Sequence, residues 1–194
     1  LNYNQTFGKH NIDLTAVATR DYKKYEYQNL SGSDFAANGN TVLGLNGIHY
    51  ATTQKISLNN WKQTNIGYFG RASYSFSDTY YLTASYRRDG SSVFGVNNKW
   101  GNFGAVGAAW RITNETFMKK ADFLNDMKLK LSWGKNGNQG LSQYSTLSKV
   151  SNGQSGGIYY PFDNSGKPSY GINQSSIGNA DLGWETTEAW NVGF

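Results

Sequence analysis

Hydrophobic and polar residues alternate along most of this 194-residue chain. From Ile12 to Ala18 the even positions are apolar, and the odd positions between them are mainly polar. The same period of two recurs in further segments, which are Ile66–Phe76, Tyr80–Tyr86, Trp100–Ile112, Met127–Trp133 and Trp190–Phe194. A period of two is typical of strands that separate two environments, so the sequence predicts about seven strands in an all-β, antiparallel, up-and-down sheet.

Aromatic residues on the apolar face fall near the ends of the predicted strands. Trp100 and Trp110 share a face and stand ten residues apart, and Tyr68 and Phe76 repeat this arrangement over eight residues. Ten residues at ~3.3 Å each cover ~33 Å, which is ~25 Å along the axis of a barrel whose strands tilt by ~40°. That height matches the apolar band between the aromatic girdles of a membrane barrel. These four residues are therefore predicted to form a lipid-facing girdle.

Short and long connections alternate between the predicted strands. The short ones are Gly8–Lys9 and Ser77–Asp78, whereas the long ones span residues 29–60 and 135–182. The intermediate connection 112–126 is expected to hold one helical turn. Because the chain reverses at each strand, the long connections lie at one rim, as the external loops of outer-membrane barrels do. About seven strands are too few to close a barrel, so residues 1–194 are predicted to be a segment of one larger β-barrel domain.

Composition and charge remove several other classes of protein. Cysteine is absent, so disulfides and cysteine-ligated metal centres are excluded. The formal net charge is +5, but the lysines and arginines are scattered, so no nucleic-acid partner is predicted. No stretch approaches the ~18 apolar residues of a transmembrane helix.

Residues that usually carry catalysis do not form a recognisable set. The two histidines, His10 and His49, lie far apart, and no Ser-His-Asp arrangement can be placed around them. The glycine-rich run Gly134–Gly140 lacks the Gly-Lys-Ser/Thr ending of a phosphate-binding loop. The sequence therefore predicts no enzymatic activity, no cofactor and no metal site.

Several charged residues lie on the polar face and are expected to line the lumen of the barrel. They are Arg71, Arg87, Asp89 and Arg111. Arg87 is expected near the external end, with Asp89 close enough to form an ion pair. Pairing across strands or with an inserted domain is the expected role of these charges, because an unpaired charge inside a membrane protein is costly.

One run, residues 67–95 (GYFGRASYSFSDTYYLTASYRRDGSSVFG), closely resembles the barrel of SusC/RagA-type TonB-dependent transporters. Further resemblance is carried by Asn98–Gly101, Ala109–Ile112, Leu129–Gly134, Gly137–Gln139 and Asn179–Glu188. The order and spacing of these motifs are kept over residues 67–140 and 178–194. Ala180 and Gly183 depart from the family, which often has proline and a polar residue at these positions, and both departures bear only on local loop geometry.

The resemblance implies an outer-membrane barrel of about 22 strands that encloses an N-terminal plug domain. This family imports large nutrients, mainly oligosaccharides or peptides, across the outer membrane of Gram-negative bacteria of the Bacteroidetes type. A SusD-like lipoprotein closes over the external face as a lid, and TonB supplies energy through the plug, which is expected to lie outside this chain. The implied partners are this lipoprotein, TonB, the glycan or peptide substrate and outer-membrane lipid.

Aromatic residues beside amides in the long loops are the candidates for contact with the substrate or the lid. The selected residues are Trp61, Tyr159 and Tyr160. Flat rings next to amides suit carbohydrates, whose apolar CH faces stack on rings, but they suit peptides equally. Rings that pack the loops onto themselves or onto a partner are the open alternative.

A soluble or surface-anchored β-sandwich that binds carbohydrate is the alternative fold, because its strands also alternate. A sandwich buries its apolar face beneath a second sheet, whereas a membrane barrel turns that face towards lipid. The surroundings of Val106, Ala108 and Leu131 distinguish these two folds. A hydrolase on a β-scaffold is a third hypothesis, which the missing catalytic set disfavours.

Overall fold

The computed structural model describes residues 1–35, 40–118, 123–152, 159–160 and 169–194, with 40–44, 159–160 and 169–170 described by their backbone alone. The described strands are β1 (Asn2–Phe7), β2 (His10–Ser33), β3 (Thr53–Phe76), β4 (Tyr80–Ser91), β5 (Trp100–Arg111), β6 (Lys128–Asn138), β7 (Lys149–Asn152), β8 (Tyr159–Tyr160), β9 (Ser169–Tyr170), β10 (Ile172–Ser176) and β11 (Glu185–Gly193). The described helical segments are of the 3₁₀ type and comprise Asn40–Tyr50, Ile112–Asn114 and Thr116–Met118.

Seven strands form one sheet in the order β1-β2-β3-β4-β5-β6-β11. Consecutive strands are therefore neighbours, except that β11 joins the sheet beside β6 after a long connection. Within that connection β7 pairs with β10, and β8 pairs with β9. The predicted all-β, antiparallel, up-and-down arrangement is confirmed, and the sheet is not closed within the described part of the chain.

The chain divides into two compact units. One unit comprises Leu1–Asp21 and Thr64–Phe194, and the other comprises Tyr22–Gln63. The first unit holds β1 and β4 to β11, together with the adjoining parts of β2 and β3. The second holds the remaining parts of β2 and β3 and the longest 3₁₀ segment.

The register of the first unit keeps its apolar residues on one face, called the apolar face below. Tyr80 lies opposite Trp110, and Ala84 lies opposite Val106. Val106 in turn lies opposite Trp133 on the next strand. Because side chains alternate along a strand, the residues between these lie on the other face, called the polar face.

No second layer of protein covers the apolar face in the described part of the chain. Val106 is 46% exposed and Leu131 48%, and Ala108 is exposed as well. Buried hydrophobic side chains among the described residues are few, namely Ala51, Val93, Phe94 and Phe103. A sandwich core is therefore not present where the alternative hypothesis needs it. An exposed apolar face is instead the arrangement of a barrel strand in lipid.

The two predicted tight turns are confirmed. Gly8 has a φ of 60°, in the left-handed region that glycine enters without steric cost. Ser77 and Asp78 also have positive φ values, 51° and 53°, and the Thr79 backbone N–H donates to the Phe76 carbonyl at 3.0 Å. Consecutive positive φ values match the right-handed twist of the two flanking strands, and aspartate tolerates this region.

The connections predicted to be long are partly built from strands. β2 continues to Ser33 and β3 begins at Thr53, inside the predicted loop 29–60. Similarly, β6 continues to Asn138, and the region 135–182 contains β7 to β10. The prediction missed these strands because residues 22–33 carry polar and aromatic side chains on both faces, which removes the alternation on which it depends. The helical turn expected at 112–126 is present as two short 3₁₀ segments.

Candidate functional site

A cavity of about 460 Å³ opens in the first unit, where the polar face meets the long connections. Its polar lining includes Thr19, Asp21, Asn65, Arg87, Asp89, Asn136 and Gln139, and its aromatic lining is Phe103 and Trp184. Strands β2, β3, β4, β5 and β6 each contribute side chains, so most of the lining is fixed by the sheet rather than by loop tips. A polar cavity with aromatic walls on a rigid scaffold is the usual form of a binding site.

An ion pair between Arg87 and Asp89 lies at one wall of this cavity. The Arg87 Nε atom is 2.6 Å from the Asp89 Oδ2 atom, so the pair that the sequence predicts is present. Residues two apart on a strand share a face, which explains why their spacing brings them together. Gly67 lies opposite Asp89 in the register, and a Cβ atom on Gly67 would be only 2.5 Å from Asp89 Oδ1. Glycine at this position therefore leaves the room that the ion pair occupies.

Three polar side chains, those of Asn65, Ser91 and Gln139, form a hydrogen-bonded network at the end of β4. The Ser91 hydroxyl donates to the Asn65 side-chain oxygen at 2.7 Å, and the Gln139 amide donates to the Ser91 hydroxyl oxygen at 2.6 Å. Ser91 is only 4% exposed, so these bonds satisfy polar atoms that water does not reach. The network ties β3 and β4 to the residue that follows β6.

The aromatic wall depends on glycines that let two rings approach the sheet. Phe103 is 8% exposed, and its ring would lie 2.5 Å from a Cβ on Gly101 and 2.1 Å from one on Gly137. Trp184 packs edge-on against Phe103, with ring centroids 5.3 Å apart. Trp184 was not among the predicted site residues, although it lies within the Asn179–Glu188 motif that carries the resemblance.

Two segments distant in sequence hold the rim of the cavity. Gly95 donates its backbone N–H to the Leu182 carbonyl at 2.9 Å, and Asn98 donates its amide to the Asp181 carbonyl at 2.7 Å. Phe94 is 2% exposed and packs against Trp184 at 4.6 Å. The segments 91–99 and 179–184, both among the motifs of the resemblance, thus form one packed unit that positions Trp184.

The two other predicted lumen arginines lie away from this cavity. Arg111 binds Asp78 through its Nη1 atom at 2.5 Å, beside the short turn between β3 and β4. The Tyr81 hydroxyl also donates to Asp78, and this hydrogen bond, followed by the nearby Arg111 charge, lowers the pKa of Asp78. Arg71 donates from Nε to the Ser73 hydroxyl at 3.3 Å. The four predicted lumen residues therefore share a face but do not form one site.

The three candidates for substrate or lid contact are not brought to the cavity. Trp61 lies within β3 in the second unit, where its ring stacks on Tyr25 at 5.3 Å. The backbones of Tyr159 and Tyr160 pair with Tyr170 and Ser169, and their side chains lie outside the described part of the structure. A role of these three residues in binding stays a prediction.

The apolar face ends in aromatic clusters on both sides. Towards the long connections, Tyr68 stacks on Trp100 with centroids 6.3 Å apart. Towards the short turns, Phe76 stacks on Tyr80 at 6.4 Å. The four girdle candidates therefore lie at the two ends of the face, with Val106 and other aliphatic or small residues between them.

Two hydrogen bonds to one carboxylate hold the aromatic cluster beside the short turns. The Tyr80 hydroxyl donates to Glu115 Oε1 at 2.6 Å, and the Trp110 indole N–H donates to the same atom at 3.0 Å. These two hydrogen bonds lower the pKa of Glu115, which lies in the connection after β5. An aromatic ring with its apolar body on the sheet and its polar tip bound outside it suits a membrane interface.

The described residues contain no group of three or more histidine, aspartate or glutamate side chains that could hold a metal ion. Within the same residues, no helix is both long and apolar enough to span a membrane.

Comparison with known proteins places this geometry in a family. The family model described as "TonB dependent receptor-like, beta-barrel" matches residues 1–194. The chain belongs to this family. TonB-dependent receptor P39 of Formosa agariphila is 32% identical over 194 residues, which cover 100% of this chain and 18% of that relative. TonB-dependent receptor SusC of Bacteroides thetaiotaomicron is 37% identical over 136 residues, which cover 69% of this chain and 13% of that relative.

A solved structure supports the same assignment. The structure of the RagAB peptide transporter matches with a TM-score of 0.75 and 26% identity, over 98% of this chain and 20% of that chain. The resemblance to SusC/RagA-type transporters that the motifs indicated is therefore confirmed. The chain spans a fifth or less of the length of each of these three proteins.

Proposed function

We propose that this chain forms part of the barrel wall of a TonB-dependent importer in the outer membrane of a Gram-negative bacterium. The imported substrates are peptides, as the name of the RagAB peptide transporter states for that protein, or oligosaccharides, as the resemblance to SusC/RagA-type transporters implies. The observation that carries the proposal is the exposed apolar face of the first unit, bounded at both ends by aromatic clusters. Lipid is the solvent that makes such a face stable without a second protein layer.

The open edges of the sheet support a larger barrel around this segment. Within the described part of the chain, no strand pairs with the outer edges of β1 and β11, and hydrocarbon offers no partner for their backbone groups. The proposed barrel would therefore continue the sheet with further strands on both sides. The polar face would then line the lumen, where Arg71, Arg87, Asp89 and Arg111 support the wall or seat a plug. The role is structural, and we propose no catalytic residue.

Substrate capture would involve a SusD-like lipoprotein over the external rim, and energy would reach the barrel from TonB through the plug. The chain's relation to SusC and to the RagAB peptide transporter supports this assignment. Both glycans and peptides remain substrate classes of the proposed function.

The experiment is a transport assay on the full-length transporter in its own bacterium. Deletion of the gene should abolish uptake of labelled oligosaccharides or peptides, and inactivation of TonB should have the same effect. The protein should fractionate with outer membranes and need detergent for extraction. Recovery of the chain in buffer without detergent would instead support the β-sandwich alternative.

Arg87→Ala provides a finer test of the lumen assignment. Loss of the guanidinium leaves Asp89 without its partner at the polar face, so assembly of the barrel or seating of the plug should be impaired. Surface level and uptake equal to those of the unaltered transporter would refute this role.

A further inference from the structure

We propose that the cavity beside Arg87 and Asp89 binds a neutral sugar residue of an oligosaccharide. This inference rests on the proposed importer function and selects one of its two substrate classes. The cavity volume of about 460 Å³ lies within the ~300–1,000 Å³ that ligand sites usually have. Paired strands supply most of the lining, so its polar groups are held in place before any ligand arrives.

The charges around the cavity disfavour an anionic ligand. Arg87 is the one cation among its lining residues, and Asp89 already engages it at 2.6 Å. Asp21 adds a second carboxylate, which is exposed and makes no ion pair with another described residue. With two carboxylates to one guanidinium, the cavity repels uronic acids and the carboxyl terminus of a peptide.

The hydrogen-bonding groups that remain available suit hydroxyls. An ionised Asp21 only accepts hydrogen bonds, whereas the Asn136 side chain both donates and accepts. Neither side chain forms a hydrogen bond with another described residue, whereas Gln139 and Ser91 already bond to each other. A sugar hydroxyl both donates and accepts, so adjacent hydroxyls can satisfy Asp21 and Asn136 together.

The aromatic wall complements the apolar side of a sugar ring. Phe103 and Trp184 border the same cavity as Asp21 and Asn136. Gly101 and Gly137 make room for the Phe103 ring itself, which is 8% exposed and packs against Trp184. The ring surface that a sugar can reach is therefore that of the half-buried Trp184, against which the CH groups of a pyranose can pack while its hydroxyls reach the polar lining.

A peptide cannot bind to this wall by adding a strand to it. Peptides are commonly held by adding a strand to a free sheet edge. Here β4, the strand that carries Asp89, is already paired on both sides. Asp89 lies opposite Gly67 on β3 and opposite Gly101 on β5. A cationic peptide attracted by Asp21 is the competing ligand, and the experiment tests it directly.

The experiment measures binding to the purified full-length transporter in detergent. The probes are neutral hexasaccharides of glucose, mannose and xylose, an anionic trigalacturonate, and a hexapeptide that contains lysine. At least one neutral hexasaccharide should bind. Asp21→Asn removes the charge from one hydrogen bond and should weaken that binding about tenfold, whereas Asn136→Ala removes an uncharged, exposed partner and should weaken it about threefold. Asp21→Asn should also reduce the discrimination against trigalacturonate.

Asp13→Asn is the matched control. Asp13 lies on the same strand and face as Asp21, eight residues and therefore ~26 Å closer to the short turns. This substitution should leave the affinity for the neutral hexasaccharide unchanged.

Two results would overturn the proposal. One is neutral-sugar binding that neither Asp21→Asn nor Asn136→Ala changes, and the other is failure of all three neutral hexasaccharides to bind, whether or not the lysine peptide binds through Asp21. TonB-dependent uptake, measured separately in cells, reports on the importer function. Uptake that persists while cavity variants bind normally would reject the sugar subsite and leave the importer function in place.

Discussion

Both faces of the sheet carry exposed side chains, but of opposite chemistry. On the apolar face Leu131 is 48% exposed, and on the polar face the Arg87 side chain is 53% exposed. Leu131 is surrounded by Ala108 and Val192 in the register, whereas Arg87 has an acidic partner at 2.6 Å. Exposure alone therefore does not identify the solvent. The chemistry of the exposed groups indicates lipid on one side and water on the other.

Glycines show the same contrast between the faces. A Cβ added to Gly67 would meet the Asp89 and Thr19 side chains at 2.5 and 2.9 Å, whereas one added to Gly70 would meet nothing within 4 Å. The polar face is thus closely filled near the cavity, and the apolar face is open beside Gly70. Each difference between the faces can be tested by paired substitutions.

A charge placed on the apolar face should have the largest effect. Leu131→Lys should destabilise the barrel by about 2–4 kcal/mol if the residue lies near the middle of the bilayer, because lysine must leave water. Ser132→Lys, one residue along the same strand and on the polar face, is the matched control and should cost much less. Unfolding of the full-length protein in lipid vesicles measures both. Equal costs for the two variants would contradict the assignment of lipid and water to the two faces.

A methyl group at Gly67 should have the next largest effect. Gly67→Ala places its Cβ against the Asp89 carboxylate and should destabilise the protein by about 1–3 kcal/mol, as overpacking usually does. Gly70→Ala, three residues along the same strand, meets no neighbouring atom and is the control. Unfolding in denaturant supplies the free energies. If Gly67→Ala proved as mild as Gly70→Ala, the ion pair would not be confined as the structure indicates.

The contrast between the faces was largely predictable from the sequence. Alternation from Trp100 to Trp110 assigns each residue to a face, and the spacing of Arg87 and Asp89 brings their side chains to the same side of one strand. These are local features, because neighbours along a strand have fixed relative directions. The tight turn at Ser77–Asp78 was also predictable, because serine and aspartate are common turn residues.

The cavity was not predictable, because its parts meet through long-range contacts. Gln139 bonds to Ser91, which is 48 residues away, and Asn97 bonds to Asp181, which is 84 residues away. Hydrophobic periodicity carries no information about which distant segments meet. Periodicity also failed where both strand faces are polar, and Trp61 was therefore assigned to a loop border although it lies within β3.

Substitution of Glu115 tests whether the aromatic cluster beside the short turns depends on an ionised carboxylate. Hydrogen bonds from Tyr80 and Trp110 lower the pKa of Glu115 below its ordinary value of 4.5. A lowered pKa stabilises the folded state above pH 4.5, and this contribution is lost as the pH falls through the folded-state value. Glu115→Gln should therefore make stability less sensitive to pH below about 4.5.

The measurement is an acid-unfolding series on the full-length protein. Trp110→Phe removes one of the two donors and keeps an aromatic ring, so its acid response should lie between those of the unaltered protein and Glu115→Gln. Identical acid responses in all three proteins would show that these hydrogen bonds do not stabilise the cluster.

The smallest effect is expected for the cross-strand ion pair between Lys135 and Glu188. These residues lie directly opposite each other on β6 and β11, with Nζ and Oε1 3.2 Å apart and side-chain exposures of 34% and 54%. Exposed pairs of this kind usually contribute about 0.2–1 kcal/mol, so a double-mutant cycle with alanine at both positions should give a coupling energy in that range. High salt should reduce the coupling further if water surrounds the pair, since mobile ions screen exposed charges. A coupling well above 1 kcal/mol that salt leaves unchanged would instead place this pair away from water. In that case the lipid-facing band would have to extend farther from the short turns than the aromatic clusters indicate.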